Sequence, residues 1–168
     1  MPPDSVEMLT GSLSKTLPAV GGFVAGKRDL IQFLRHNARA FVFSAALPPA
    51  AVAAVTASLE IIEEEPWRIK AVRRNINRFV TGLNTLGYDT LQTKSCVIPI
   101  IIGQEEPTLE LTQKLHHDGM FVSPILSPAV PQNLCRLRAN VTAAHTDEDI
   151  DFALGLLEKH GRTMGIIR

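Results

Sequence analysis

From Pro66 onward the hydrophobic pattern changes period again and again, and this alternation confines the chain to a mixed α/β architecture. Between Pro66 and Gly87, the residues Ile69, Val72, Ile76, Phe79, Leu83 and Leu86 recur at helical spacing. Such a stripe predicts one long amphipathic helix, with Gly87 as its natural C-terminal stop. Arg68, Lys70, Arg73, Arg74 and Arg78 fall on its other faces and read as a solvated surface. Cys96–Ile102 then reads as a buried strand, whose Pro99 marks an edge position or a bulge. Thr108–Asp118 predicts a helix closed by Gly119, and Met120–Ile125 a second strand. Leu134–Thr142 predicts a third strand by alternation. Leu134, Arg136, Arg138, Asn140 and Thr142 take one face, and Cys135, Leu137, Ala139 and Val141 the other. A last helix starts at Thr146, with Asp149 at the reciprocal capping position and Ile150, Ala153, Leu154 and Leu157 as its buried stripe.

The earlier residues carry different signals. Lys27–Asn37 places Leu30, Ile31, Phe33 and Leu34 at helical spacing, and Pro48-Pro49 opens an alanine-rich helix towards Glu63. The acidic run Glu63–Glu65 reads as a solvated helix end. We place a domain boundary in this helical region, with residues 1–55 before it and 56–168 after it.

Composition narrows the function classes. The chain has 168 residues, 45% hydrophobic and 20% charged, with a formal net charge of +0, which suits a globular protein and supplies no basic footprint for nucleic acid or anionic membranes. The longest apolar runs, such as Val97–Ile102, are too short to span a bilayer, and the first residues lack the order of a signal peptide. A cytoplasmic protein is expected. Cys96 and Cys135 have no metal-ligand spacing, so no metal is predicted; they read as buried thiols in strands, with a disulfide the alternative only in an oxidising compartment.

The chemistry centres on Gly11-Ser12-Leu13-Ser14-Lys15, followed by Gly21-Gly22. Apolar runs at Val6–Leu9 and Phe23–Ala25 flank the stretch, so Lys15 is expected at a strand end, partly withdrawn from water. Desolvation favours the neutral, nucleophilic amine. An ordinary lysine on a turn is the plain alternative. Ser12-Leu13-Ser14-Lys15 also spells S-x-x-K, a helical nucleophile motif, but Pro18 and Gly21-Gly22 would break that helix and neither S-D-N nor K-T-G follows.

Read as a whole, GSLSK…GGFVAG at Gly11–Gly26 resembles the cofactor-lysine segment of the α-oxoamine synthases, fold type I enzymes that use pyridoxal phosphate. The resemblance continues through Arg28–Ala50 and Ser123–Asp151, and it matches the C-terminal part of such an enzyme. It implies that residues 1–55 belong to the large cofactor-binding domain and 56–168 to the small C-terminal α/β domain, with a three-stranded sheet. It implies a Schiff-base role and general-base work for Lys15, phosphate contacts from Ser12 and Ser44, and a substrate-carboxylate clamp at Arg138. Ser12 stands where the family has threonine, and Ala45 where it often has threonine or asparagine. Arg136 shares the strand face of Arg138 without matching the family position. His145, His116 and His117 are assigned structural roles.

The implied reaction joins an amino acid to an acyl-CoA thioester with loss of carbon dioxide and CoA. The implied partners are those substrates and either a second copy or the N-terminal half. With Met1-Pro2-Pro3-Asp4 at its start, the chain reads as a shortened reading frame, a gene fragment or an engineered piece, inactive by itself. A non-catalytic docking module and an aminotransferase of the same fold are the competing readings.

Overall fold

The computed structural model describes residues 5–168; the opening Met1-Pro2-Pro3-Asp4 lies outside them. The chain separates into two compact units, the first ending at Pro66 and the second running from Trp67 to Arg168.

In the first unit, β1 (Met8–Ser12) and β2 (Gly22–Gly26) form an antiparallel hairpin in which Leu9 pairs with Ala25 and Ser12 with Gly22. Helices α1 (Arg28–Asn37), α2 (Arg39–Val42) and α3 (Pro49–Glu64) follow. Pro49 opens α3, where the missing N–H of proline costs nothing. None of the three helices buries a residue. Leu13 is this unit's buried hydrophobic side chain among the described residues, while Phe33, Phe41 and Phe43 are exposed.

The second unit has a core. Helix α4 (Trp67–Leu86) buries Ile76, Phe79 and Leu83 on its predicted stripe, although Ile69 at its start is exposed. Gly87, with a φ of 98°, closes it in the left-handed region that favours glycine. The strands β3 (Val97–Gly103), β4 (Ser123–Ile125) and β5 (Cys135–Asn140) make an antiparallel sheet in the order β3-β5-β4. Pro99 therefore lies on an edge strand, as its missing donor requires, and a register shift falls between Ile101 and Gly103. Helix α5 (Glu105–His117) and helix α6 (Asp147–Thr163) complete the unit. Ile98, Ile100, Leu111, Leu115, Leu137 and Leu157 are fully buried at its centre.

Three expectations change. Helix α5 begins at Glu105 rather than Thr108, because Pro107 falls in its first turn and needs no hydrogen bond there. Strand β4 starts only at Ser123, since the preceding backbone is spent capping α5: Met120 N–H donates to Leu115 O and Val122 N–H to His116 Nε2. Cys96 is exposed and lies just before β3, so it is not a buried strand thiol; Cys135 is buried, and both are free. Among the described residues no helix is long and apolar enough to cross a membrane.

Candidate active site

Lys15 stands in the loop that joins β1 to β2. Leu13 folds under this loop and fastens it: its N–H donates to Gly21 O at 3.0 Å, and its carbonyl accepts from Ala19 N–H at 2.8 Å. The loop thus holds Ser14–Pro18 as a short excursion over one buried leucine. Gly21 has a φ of 90°, and a Cβ on Gly22 would approach Gly11 O to 2.7 Å, so glycine is required at both positions. At the loop's base Ser12 Oγ lies 2.8 Å from Ser14 Oγ and accepts from Ser14 N–H at 3.3 Å.

The expected withdrawal of Lys15 from water is not seen, for the side chain is exposed. The apolar runs that suggested burial pair with each other along the hairpin, Leu9 opposite Ala25, and leave the loop beyond them uncovered. Ser44 is also exposed, and its hydroxyl donates to Ala40 O, so its proton is spent on the preceding turn.

In the second unit Arg138 occupies the central strand, with Pro99 and Ser123 as its cross-strand partners. The alternation read from sequence holds: Cys135, Leu137 and Ala139 are buried, and Arg136, Arg138 and Asn140 face away from the core. The two arginines differ in what they do. Arg136 Nε donates to Leu134 O at 2.8 Å, turning that guanidinium back on its own chain. Arg138 is exposed, and no described residue pairs with it. An unspent planar fork on a rigid strand is suited to a carboxylate.

The turn after β5 is closed by several hydrogen bonds. His145 Nδ1 accepts from Thr142 N–H at 3.1 Å, and Thr146 and Asp149 form the capping box of α6 at 3.2 and 2.8 Å. The Thr146 backbone N–H, then its hydroxyl, hold the Asp149 carboxyl below its ordinary range. On α4, Arg74 and Arg78 are solvent-exposed, as expected, and also bind α6: Arg74 Nη2 reaches Asp147 at 3.0 Å, and Arg78 Nη2 reaches Asp151 at 2.7 Å. Asn75, which sequence reading passed over, is fully buried beneath this turn. Its signal was available, since a polar amide inside the stripe Val72, Ile76, Phe79 has to find partners.

At the far end of the unit Asp118 collects Lys159 Nζ at 2.7 Å, His160 Nε2 at 2.9 Å and His117 Nδ1 at 3.0 Å. These bonds, led by Lys159, hold its carboxyl well below the ordinary carboxylate range. They tie α5 to α6. The described residues form clefts of about 580 Å³ around Phe23, Ile31 and Phe41 and of about 400 Å³ around Phe121, His145 and Phe152. Neither is lined by Lys15 or Arg138.

The family model described as aminotransferase class I and II matches residues 3–157. The chain is 44% identical over 162 residues to 8-amino-7-oxononanoate synthase of Thermoanaerobacter pseudethanolicus, covering 96% of this chain and 41% of that protein. It superposes on the serine palmitoyltransferase of Sphingomonas wittichii with a TM-score of 0.89 at 31% identity, over 97% of this chain and 41% of the other. A serine palmitoyltransferase solved with pyridoxal phosphate gives a TM-score of 0.90 at 27% identity, over 96% and 41%. The chain therefore spans about two fifths of the length of the relatives it matches.

Proposed function

This chain belongs to the aminotransferase class I and II family, and from that premise we propose that it is the C-terminal part of an α-oxoamine synthase, which condenses an amino acid with an acyl-CoA, with decarboxylation, to a 2-amino ketone. In this reading residues 1–55 belong to the cofactor domain and 56–168 are the small C-terminal domain. The observation that carries the reading is the β1–β2 loop, in which exposed Lys15 follows two serines whose hydroxyls lie 2.8 Å apart, on a backbone that requires glycine at 21 and 22.

That donor set fits pyridoxal phosphate, the cofactor of the similar serine palmitoyltransferase. Ser12 would supply a hydroxyl to the cofactor's phosphate, and Lys15 Nζ is the amine that would hold the cofactor. Ser44 fits less well, because its hydroxyl must leave Ala40 O before it can donate to an anion. When bound, the cofactor supplies an electron sink for charge developing at the substrate α-carbon. Lys15 Nζ would take and return the proton there, and glycine at 22 lets the two hairpin strands come close, since a Cβ would meet Gly11 O at 2.7 Å. Arg138 binds the amino-acid carboxylate through its two parallel N–H groups, while Arg136 remains bonded to Leu134 O.

The chain by itself is inactive in this reading, because Lys15 is exposed and the first unit buries little beyond Leu13. The same exposed phenylalanines support association with a second copy or with the N-terminal half of such an enzyme, and they are what the docking-module reading would use.

Borohydride reduction of the active protein, meaning this chain joined to or reconstituted with the N-terminal half of such an enzyme, with pyridoxal phosphate tests the assignment. The cofactor mass is expected on the peptide containing Lys15, and Lys15→Ala is expected to lower kcat by roughly 10²–10⁴-fold without unfolding the protein. Label on another lysine, or near-normal turnover of the variant, would overturn it.

A further inference from the structure

We propose that Asn75 is a positioning residue for Arg138: by gripping the turn that follows β5, it fixes the register of the central strand and so the place of the guanidinium. The proposal rests on the carboxylate role given to Arg138 above.

Asparagine is a poor helix former, and a buried amide without partners is costly. Asn75 nevertheless sits fully buried in the middle of α4. Its donors are spent on one target, the turn after β5, and its acceptor on a neighbour in α4. Nδ2 donates to Thr142 O at 3.0 Å and to His145 O at 2.8 Å. Oδ1 accepts from Arg74 Nε at 3.3 Å and Nη2 at 3.2 Å, and the same Nη2 reaches Asp147 at the start of α6. The other groups of the turn close on themselves, Thr142 N–H on His145 Nδ1 and Ala144 N–H on Thr142 Oγ1. Asn75 thus holds two carbonyls of the turn to α4, beside the backbone bond from Val141 N–H to Cys96 O at 2.9 Å.

Strand β5 needs such a hold. At its start the ladder to β3 shifts register between Ile101 and Gly103, and β4 contributes only the pairs from Ser123 to Ile125. A slip of one residue would carry Arg138 onto the face where Leu137 and Ala139 are buried. At the strand's other end, where Val97 pairs with Asn140 and Val141 N–H donates to Cys96 O, the two bonds to the carbonyls of Thr142 and His145 add to what opposes that slip. A leucine at 75 would suit the apolar stripe but would take the partner from two half-buried carbonyl contacts.

The test is Asn75→Asp in the active protein. The side chain keeps its shape, but an ionised carboxylate has no donor and faces two carbonyl oxygens. The amino-acid KM is expected to rise about tenfold while the acyl-CoA KM stays within about twofold. As pH falls and the carboxyl regains a proton, one donor returns and the amino-acid KM ratio to wild type is expected to narrow. Leu83→Ala, on the same helix but away from the turn, should lower the melting temperature at least as much and leave the amino-acid KM unchanged. Asn75→Asp added to Arg138→Ala should raise the KM no further.

If Arg138→Ala leaves the amino-acid KM unchanged, the carboxylate reading fails and this proposal with it. If Arg138→Ala raises it and Asn75→Asp does no more than Leu83→Ala, the positioning role alone is overturned. Should Asn75→Asp not fold, Asn75→Ser keeps one donor and is expected to raise the amino-acid KM by roughly threefold; a wild-type KM in that variant overturns the role. The ¹⁵N shift of His145 Nδ1 in the 168-residue chain is an activity-free readout: it should move in Asn75→Asp and stay fixed in Leu83→Ala, and the reverse pattern counts against the proposal.

Discussion

The two units are built from similar elements, yet they treat their apolar residues in opposite ways. Before Pro66, the hairpin and three helices leave Phe33, Phe41 and Phe43 exposed at 62%, 63% and 81%, and hold Leu13 as the buried hydrophobic side chain. From Trp67 on, a sheet with helices packed against it buries Leu83, Ile98, Ile100, Leu111, Leu115, Leu137 and Leu157 completely. The difference teaches that a sequence can specify helices and turns well where it does not enclose a core. Pro49 starts α3 and Gly21 turns the hairpin through local sterics alone, whereas burial requires a second layer. The second unit has that layer, with Arg74, Arg78 and Asn75 fastening α4 to α6 and to the turn before it, and Tyr88 donating to Leu157 O at 2.9 Å. Burial pushes the Tyr88 hydroxyl up to about 12, so it stays a donor across the working range.

The sharpest break of this contrast would come from truncating one side chain in each unit. Leu83→Ala is expected to cost about 2–5 kcal/mol in denaturant unfolding, since it empties a fully enclosed site. Phe33→Ala, more than half exposed, should change stability by no more than about 0.5 kcal/mol. Similar losses from both would mean that the first unit has a core of its own.

A smaller effect separates the helix starts. Thr146 caps α6 through Asp149 N–H, whereas α1 and α3 begin without any side-chain cap. Thr146→Ala should therefore destabilise the second unit by about 1 kcal/mol, with Thr146→Ser close to neutral. Equal losses from both replacements would remove the hydroxyl from the account.

Smallest is the acid dependence. Asp118 and Asp149 are both held below their ordinary value of 3.8 in the folded chain. A carboxyl with a depressed folded value binds its proton more readily when unfolded, so its stabilisation is full above about 3.8 and drains away as pH falls through the lower folded values. Melting curves should shift down below that pH, and Asp118→Asn should flatten the shift. A flat profile in the unmodified protein would show that the Lys159, His160 and His117 bonds contribute nothing.

Sequence by itself determined what depends on neighbours within a few positions. The helical stripe of α4, the alternation of β5 that turns Arg138 away from the core, the glycine stops at Gly87 and Gly119, and the Thr146–Asp149 capping box follow from backbone geometry over one or two turns. The family resemblance at Gly11–Gly26 was legible for the same reason, as a contiguous run. Only the tertiary structure decided that Lys15 is exposed, that Cys96 lies outside its strand, that Arg136 is bonded to Leu134 O while Arg138 is unspent, and that Asn75 meets carbonyls 67 and 70 positions away. Those outcomes depend on which surfaces meet across long stretches of chain, and a polar group's worth is set by the partners it finds there rather than by the residues beside it.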